Sequence, residues 1–322
     1  MRVFVTVSAL LLLLIGITAC GDEDSSSSEG EGATDTMEKK IIGLELADQF
    51  LSGNYEAIYD QFSKSFQKDV SFEEFRDIGE QFNEGVSSYT FISELSLNNF
   101  NEYQWLSEGG DKGIRAHLND DQRIIGLQVL NIQADLGTND IYTKNTYHMP
   151  INEPWLTYWG GTNQLVNYHY IHENQRYAYD LVIKKEDTFE GDLKKNESYF
   201  AFGKDVVAPL EGVVVSVENG IEDNDPRVES NRDQPLGNHV IIQHDNREYS
   251  VLGHFKQGSI EVENGQEVKA GELLGFAGNS GNSSEPHIHF HVADSAEWEE
   301  ATSLRIKLNV EEPVRGETVE GF

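Results

Sequence analysis

The sequence predicts two folded units in series: an α+β unit over about residues 38–135 and an all-β unit of antiparallel strands over 165–310, joined by a linker at 136–164. Three observations predict this order. Apolar residues recur at helical spacing from Ile41 to Phe82, then alternate in strand fashion from Tyr89 onward. Past residue 160 the chain reads as short strands cut by Gly-rich turns, the pattern of a sandwich or barrel. No long amphipathic helix is predicted in that second half, and 322 residues suit about two domains.

The first helix is expected on Ile42, Leu44, Leu46, Phe50 and Leu51, stopped by Ser52-Gly53-Asn54. A second carries Tyr55, Ile58, Tyr59 and Phe62. A third starts at Ser71, whose partner Glu74 completes a capping box ahead of Phe75, Ile78 and Phe82. Strands are expected at Tyr89–Ile92, Tyr103–Leu106, Gly113–Leu118 and Ile124–Val129. Helices followed by antiparallel strands give the α+β class, with Phe62, Phe66, Phe72, Phe75 and Phe82 as core. Pro150, Pro154, Trp155, Trp159, Gly160 and Gly161 read as an irregular packed connection. In the second unit, strands are expected at Gly212–Val217, Asn238–Gln243, Glu248–Phe255 and Pro286–Val292, with a short strand between tight turns in Val262–Gly271.

The formal net charge of −32 repels nucleic acid and anionic lipid headgroups, so no nucleic-acid partner is expected. Residues 1–20 read as a processing signal, with Arg2 ahead of an apolar run from Leu10 to Ile17 that is short for a membrane span. Ile17-Thr18-Ala19-Cys20 resembles a bacterial lipobox, which implies lipidation of Cys20 and an extracytoplasmic, membrane-anchored chain. Cys20 is the only cysteine, so no internal disulfide can form. Residues 21–37, rich in Asp, Glu, Ser and Gly, read as a disordered tether.

The chemistry concentrates in the last strand. Alternation puts His287, His289 and His291 on one face, a poor core but a good way to aim nitrogen ligands at one point. His254 lies on an upstream strand, and His169 and Asp180 lie farther up. Catalytic zinc takes about three protein ligands and leaves a position open, and two histidines with a carboxylate meet that need. The metal would then acidify a water and polarise a carbonyl, with spare histidines moving protons.

Together, His169, Asp180, His254 and Pro286-His287-Ile288-His289-Phe290 resemble the lysostaphin-like (LytM-type) zinc endopeptidases of bacterial cell walls. Supporting phrases also match: Gly203–Pro209, Gly212-Val213-Val214, Gly237–Ile242, Val268–Gly275 and Gly278–Gly281. The resemblance covers about residues 165–295. It implies an antiparallel lysostaphin-like β-sheet (the duplicated hybrid motif), Zn2+ held by His169, Asp180 and His289, and catalysis assisted by His254 and His287. The implied substrate is a peptidoglycan stem peptide or cross-bridge. The α+β unit is similar to the nuclear-transport-factor-2-like fold, with Leu51–Ala57 as its helix junction, and reads as a spacer or binding module.

Some features depart from the family pattern. Many members carry a compact H-x-x-x-D, whereas a longer segment separates His169 from Asp180, which leaves His172 as a competing ligand. Two inserted loops, near 186–200 and 221–237, are expected to shape substrate choice. Glu222-Asp223-Asn224-Asp225 reads as a solvated loop rather than a calcium site. His291 reads either as support for the ligands or as a groove-wall or solvent-facing residue. The glycines of Gly278–Gly281 read as turn geometry. His117, His148, His239 and His244 match no ligand position. A non-catalytic peptidoglycan-binding regulator is the alternative function, since degenerate members of the family act so.

Overall fold

The computed structural model describes residues 40–322 apart from 98–99, 134–136 and 229. The expected leader, the expected tether and Cys20 lie outside the described residues. Among the described residues no helix is long and apolar enough to cross a membrane.

Short helices come first: α1 (Leu46–Leu51), α2 (Tyr55–Asp60), α3 (Phe66–Asp69) and α4 (Phe72–Phe82). The Ser71/Glu74 capping box forms in both directions and fixes the start of α4. The helices pack on an antiparallel sheet of β1 (Tyr89–Leu97), β2 (Phe100–Ser107), β3 (Lys112–Asn119) and β4 (Ile124–Asn131), in sequential order. Phe50, Tyr55, Phe62 and Phe75 are buried between the two layers with Trp105 and Ile114, while Phe66, Phe72 and Phe82 are partly buried against them. The first helix starts later than its apolar spacing predicts. Ile42 and Leu44 are exposed, because the Gln61 side chain grips both backbone groups of Ile41 and holds that stretch out of the helix.

The second part is built on one large sheet. Its strands are β5 (Trp155–Trp159), β6 (Tyr179–Val182), β8 (Gly212–Glu218), β9 (Asn238–Gln243), β10 (Tyr249–Phe255), β11 (Glu267–Val268), β13 (Ile288–Ala293), β14 (Ser303–Leu304) and β15 (Thr318–Val319). The order is β11-β8-β9-β10-β13-β6-β5-β15, with β14 added beside β13, and every pairing is antiparallel. A separate pair, β7 (Asp205–Val207) and β12 (Leu273–Phe276), covers one face. Leu181, Val240, Ile242, Leu252, Phe290 and Leu274 fill the core between them.

Two expectations change here. Trp155–Trp159, read as irregular, is a strand of the large sheet, and Thr318-Val319, beyond the expected end of the β unit, pairs with it. The flanking Pro154 and Gly160-Gly161 suggested a loop, yet proline is tolerated at the start of a strand, where no ladder donor is required.

The helical lobe and the large sheet meet through an apolar strip, Leu95 and Leu97 against Leu156 and Val182, and a buried ionic clasp. Arg315 Nε donates to Glu102 Oε1 at 2.6 Å, and both side chains are almost fully buried. His117 Nε2 lies 3.0 Å from the other oxygen and Arg115 Nε 3.7 Å from it. Burial alone would raise the Glu102 pKa, but Arg315, the His117 hydrogen bond and Arg115 hold it well below the usual carboxylate range. Removing one partner strands the other charge in an apolar setting, which costs about 3–5 kcal/mol. Glu102→Ala is therefore expected to lower unfolding stability by about that amount in urea titrations, more than the exposed control Glu73→Ala.

Candidate metal centre

The register of neighbouring strands builds the site. Asp180 on β6 sits directly opposite His289 on β13, and Gly253 on β10 sits opposite His289 on the other side. His254 follows Gly253, so regular alternation would turn it away from His289. It turns back because the β9–β10 ladder slips between Leu252 and Phe255 and His254 adopts φ +68, a left-handed conformation rare for a residue with a Cβ. Its ring lies with its centroid 4.6 Å from that of His287 and 5.8 Å from that of His289. His169 arrives on a single turn, Tyr168–Ile171, fastened by the buried Asn167. The Asn167 amide donates to Gly161, Arg176 and Ala178 carbonyls, and its oxygen accepts from His169 N–H.

The three candidate ligands converge. His169 Nε2 is 3.0 Å from Asp180 Oδ2, and His289 Nδ1 is 2.9 Å from Asp180 Oδ1. One ligand atom from each residue lies within 4.8 Å of the others, and all three residues are buried. His287 Nε2 is 3.8 Å from the same carboxylate. Burial would raise the Asp180 pKa, but the surrounding histidines hold it well below the usual range. Burial, followed by the neighbouring imidazoles, pushes the His254 and His291 pKa values well down. Burial also lowers that of His289, despite its bond to Asp180. Neutral imidazoles keep the lone pairs that metal binding requires.

The donor set fits a divalent cation. Nitrogen lone pairs and an anionic carboxylate crowd one buried point. His169 Nδ1 and His291 Nε2 are buried without a partner, each at a cost of about 1–3 kcal/mol that apolar side chains would not incur. His289 Nε2 meets His291 Nδ1 at 2.8 Å, the kind of outer contact that fixes a ligating ring's orientation. His291 is fully buried, which removes the solvent-facing reading and leaves the supporting one.

His254 and His287 share a second feature. The Nδ1 of His254 lies 2.8 Å from the Ser280 carbonyl, and that of His287 lies 2.8 Å from the Glu285 carbonyl. A carbonyl only accepts, so each Nδ1 carries the proton, and in the neutral ring each Nε2 is left with its lone pair. Both carbonyls belong to the 278–285 loop. The inserted loop around residue 224 holds it: Asp223 Oδ1 accepts from Asn279 N–H, and the Asn224 amide donates to the Asn279, Gly281 and Ser283 carbonyls. Asp223 and Asn224 are therefore structural braces rather than a solvated acidic run. Gly278 and Gly281 also do more than turn. A Cβ on Gly278 would lie 2.3 Å from Lys256 backbone, and one on Gly281 2.3 Å from Gly237 N.

Sequence reasoning singled out His169, Asp180, His254, His287 and His289, and the structure brings these together. His172 is exposed and outside the cluster. Missed were Asn167, Tyr168, Trp159, Arg227 and Glu285. Tyr168 stacks on His169 at 3.9 Å between centroids, and Trp159 packs on Tyr168 at 5.3 Å. A cavity of about 390 Å³ is lined by Trp159, Tyr168, Asp180, His287, Glu285 and Arg227, among others. A larger cleft of about 630 Å³, along Glu218–Asn224, contains none of the histidines and stands apart from this chemistry. The Asn167 signal was legible as a cap before Tyr168-His169; the others carry no periodic signature.

The fold and site thus define an antiparallel β-sheet protein with a buried His-Asp-His donor set beside two further histidines. Residues 198–300 match the sequence model of peptidase family M23, which supports kinship of this part of the chain with that family. The match reaches His254, His287 and His289 but not His169 or Asp180. The chain is 32% identical over 91 residues to the peptidoglycan DD-endopeptidase ShyA of Vibrio cholerae, a stretch covering 28% of this chain and 19% of that protein. Among solved structures it is similar to the catalytic domain of lysostaphin from Staphylococcus simulans (18% identity, 47% of this chain, 88% of that chain, TM-score 0.28). It is also similar to a zinc-containing peptidase from Vibrio cholerae (13% identity, 85% of this chain, 65% of that chain, TM-score 0.27).

The buried neutral histidines set a pH dependence. Their folded pKa values are depressed, so below about 6.5 the unfolded chain binds more protons and stability falls with pH. Above that value their contribution is complete; Asp180 adds a loss in the same direction below about 4. Relief of surface repulsion on acidification opposes both. In chelator, His291→Gln is therefore expected to show a smaller loss of urea stability than the native chain between pH 7.5 and 5.5; an equal loss in both would contradict a buried, neutral His291.

Proposed function

We propose that the chain is a zinc-dependent metalloendopeptidase that hydrolyses peptide bonds of peptidoglycan outside the cytoplasm. The observation that carries this reading is the convergence of one ligand atom each from His169, Asp180 and His289 within 4.8 Å, with His287 Nε2 3.8 Å from the same carboxylate. His169, Asp180 and His289 would hold the ion. When bound, Zn2+ supplies a Lewis acid that polarises the scissile carbonyl and acidifies a water.

The chain's own residues supply the rest. His287, its Nδ1 tied to Glu285, offers Nε2 as the base for the attacking water. His254, tied to Ser280, has its ring centroid 4.6 Å from that of His287, and would be the second group that passes a proton from water toward the leaving amine. Tyr168 is 42% exposed as a residue, but desolvation at its hydroxyl end first, and the Asp180 carboxylate next, push its pKa up, so the hydroxyl stays protonated. Its single proton is directed to the Asp180 carboxylate, which it helps to orient. Within this reading the α+β lobe at 38–135 is a nuclear-transport-factor-2-like module, 165–310 is the peptidase domain, and Cys20 is the lipid anchor.

The test pairs zinc analysis with digestion of isolated cell wall. His289→Ala is expected to lose both metal and activity. His287→Ala is expected to keep most of its metal while activity falls about 10²–10⁴-fold. Digestion by both variants at the native rate would end the catalytic reading, and a native chain that binds cell wall without cutting it would favour the regulator.

A further inference from the structure

The cavity beside the metal centre has a charged wall that the catalytic chemistry does not use. Glu285 precedes Pro286 and His287 and is one of the residues lining the cavity, with only 17% of its side chain exposed. Among the described residues no donor lies within hydrogen-bonding distance of it; Arg227 Nη2 stands 3.9 Å away. Arg227 is the ion-pair partner of Glu285, but its other contacts hold it at that longer distance. Its backbone N–H donates to the Ser284 carbonyl at 2.8 Å, its Nε donates to the Tyr199 hydroxyl at 3.2 Å, and its guanidinium lies over Phe189, 5.6 Å from the ring centroid. Phe189 and Tyr199 come from the first inserted loop and Arg227 from the second, so both insertions converge on this wall.

We infer that Glu285 is a specificity residue that receives an ammonium group of the substrate peptide, in a subsite built by the two inserted loops alongside the catalytic centre. This rests on the peptidase reading above. An ionised carboxylate has about four acceptor sites, and here none is filled by a close donor. An anionic ligand on Arg227 is disfavoured, because Glu285 and Asp187 already surround that guanidinium with negative charge. Burial, against the partial relief from Arg227 and with the added charge of Asp187, pushes the Glu285 carboxyl up to about 7. A group so poorly compensated gains strongly from a cation placed beside it.

The experiment uses the full chain and isolated cell wall whose free amines are either intact or blocked by acetylation. The native chain is expected to digest the intact wall about tenfold faster, and in Glu285→Gln that ratio is expected to fall to within about twofold. A second arm needs no hydrolysis: calorimetry on the chelated native chain with a lysine-bearing tetrapeptide and its Nε-acetyl form. The free amine is expected to bind about tenfold tighter. Equal rates on both walls, or equal binding of both peptides, would overturn the subsite. If neither wall is digested, the peptidase reading fails and the calorimetry, repeated on chelated Glu285→Gln, decides: the variant is expected to bind the two peptides within about twofold of each other, and a retained preference of about tenfold would overturn the role of Glu285.

Discussion

The site depends on one rung of the sheet, where Asp180 and His289 stand opposite each other on adjacent antiparallel strands. Side chains directly across such a ladder are close neighbours, so register alone brings a carboxylate oxygen within 2.9 Å of an imidazole nitrogen. A slip of one residue would send the whole set to the opposite face. Leu181, Ile288 and Phe290, fully or almost fully buried around this rung, make such a slip costly, since it would expose them. The hydrophobic core therefore sets the geometry of the polar cluster.

Around that rung, each further histidine is placed by a different device. His169 depends on a capped turn, His254 on a ladder slip with a left-handed backbone, and His287 on a loop braced by Asp223 and Asn224. Strained conformations persist only where the surroundings over-determine them. His254 meets that condition: its N–H bonds the Leu236 carbonyl and its ring bonds that of Ser280. For His254 and His287 the device also fixes which ring nitrogen carries the proton, so placing the ring and choosing the tautomer are one structural act there.

Much of this was legible in the sequence, for physical reasons. Strand alternation is strictly two-residue, so the shared face of His287, His289 and His291 could be read directly. Helices followed by antiparallel strands were likewise visible in the change of period. Other features were hidden. Nothing periodic marks the turn of His254, the strand at Trp155–Trp159 was masked by its Pro and Gly neighbours, and Ile42 and Leu44 mimic a helical face that Gln61 prevents. Arg227 and Glu285 are far apart in sequence, and only the path of the loops brings them together. The resemblance to a known family located the five principal residues but was silent on Arg227 and Glu285, since Arg227 lies in an inserted loop and Glu285 between two of the matching phrases.

The charge balance links the surface to the interior. The chain carries 24 basic residues against 56 acidic ones, yet Arg315, Arg115 and Arg227 are drawn to the lobe junction and the cavity wall. Arg315 lies 3.8 Å from the Trp159 ring centroid while it clasps Glu102. Trp159 in turn packs on Tyr168, and Tyr168 on His169. A continuous run of contacts therefore joins the helical lobe to a candidate ligand of the metal. Planar guanidinium suits this task, because it can stack on an aromatic face and bond a carboxylate at once, which a lysine ammonium cannot. The remaining surface is left strongly negative, a field that draws cationic groups toward the chain. That field and the open carboxylate of Glu285 act in the same direction, so long-range attraction and close-range recognition would select the same kind of peptide.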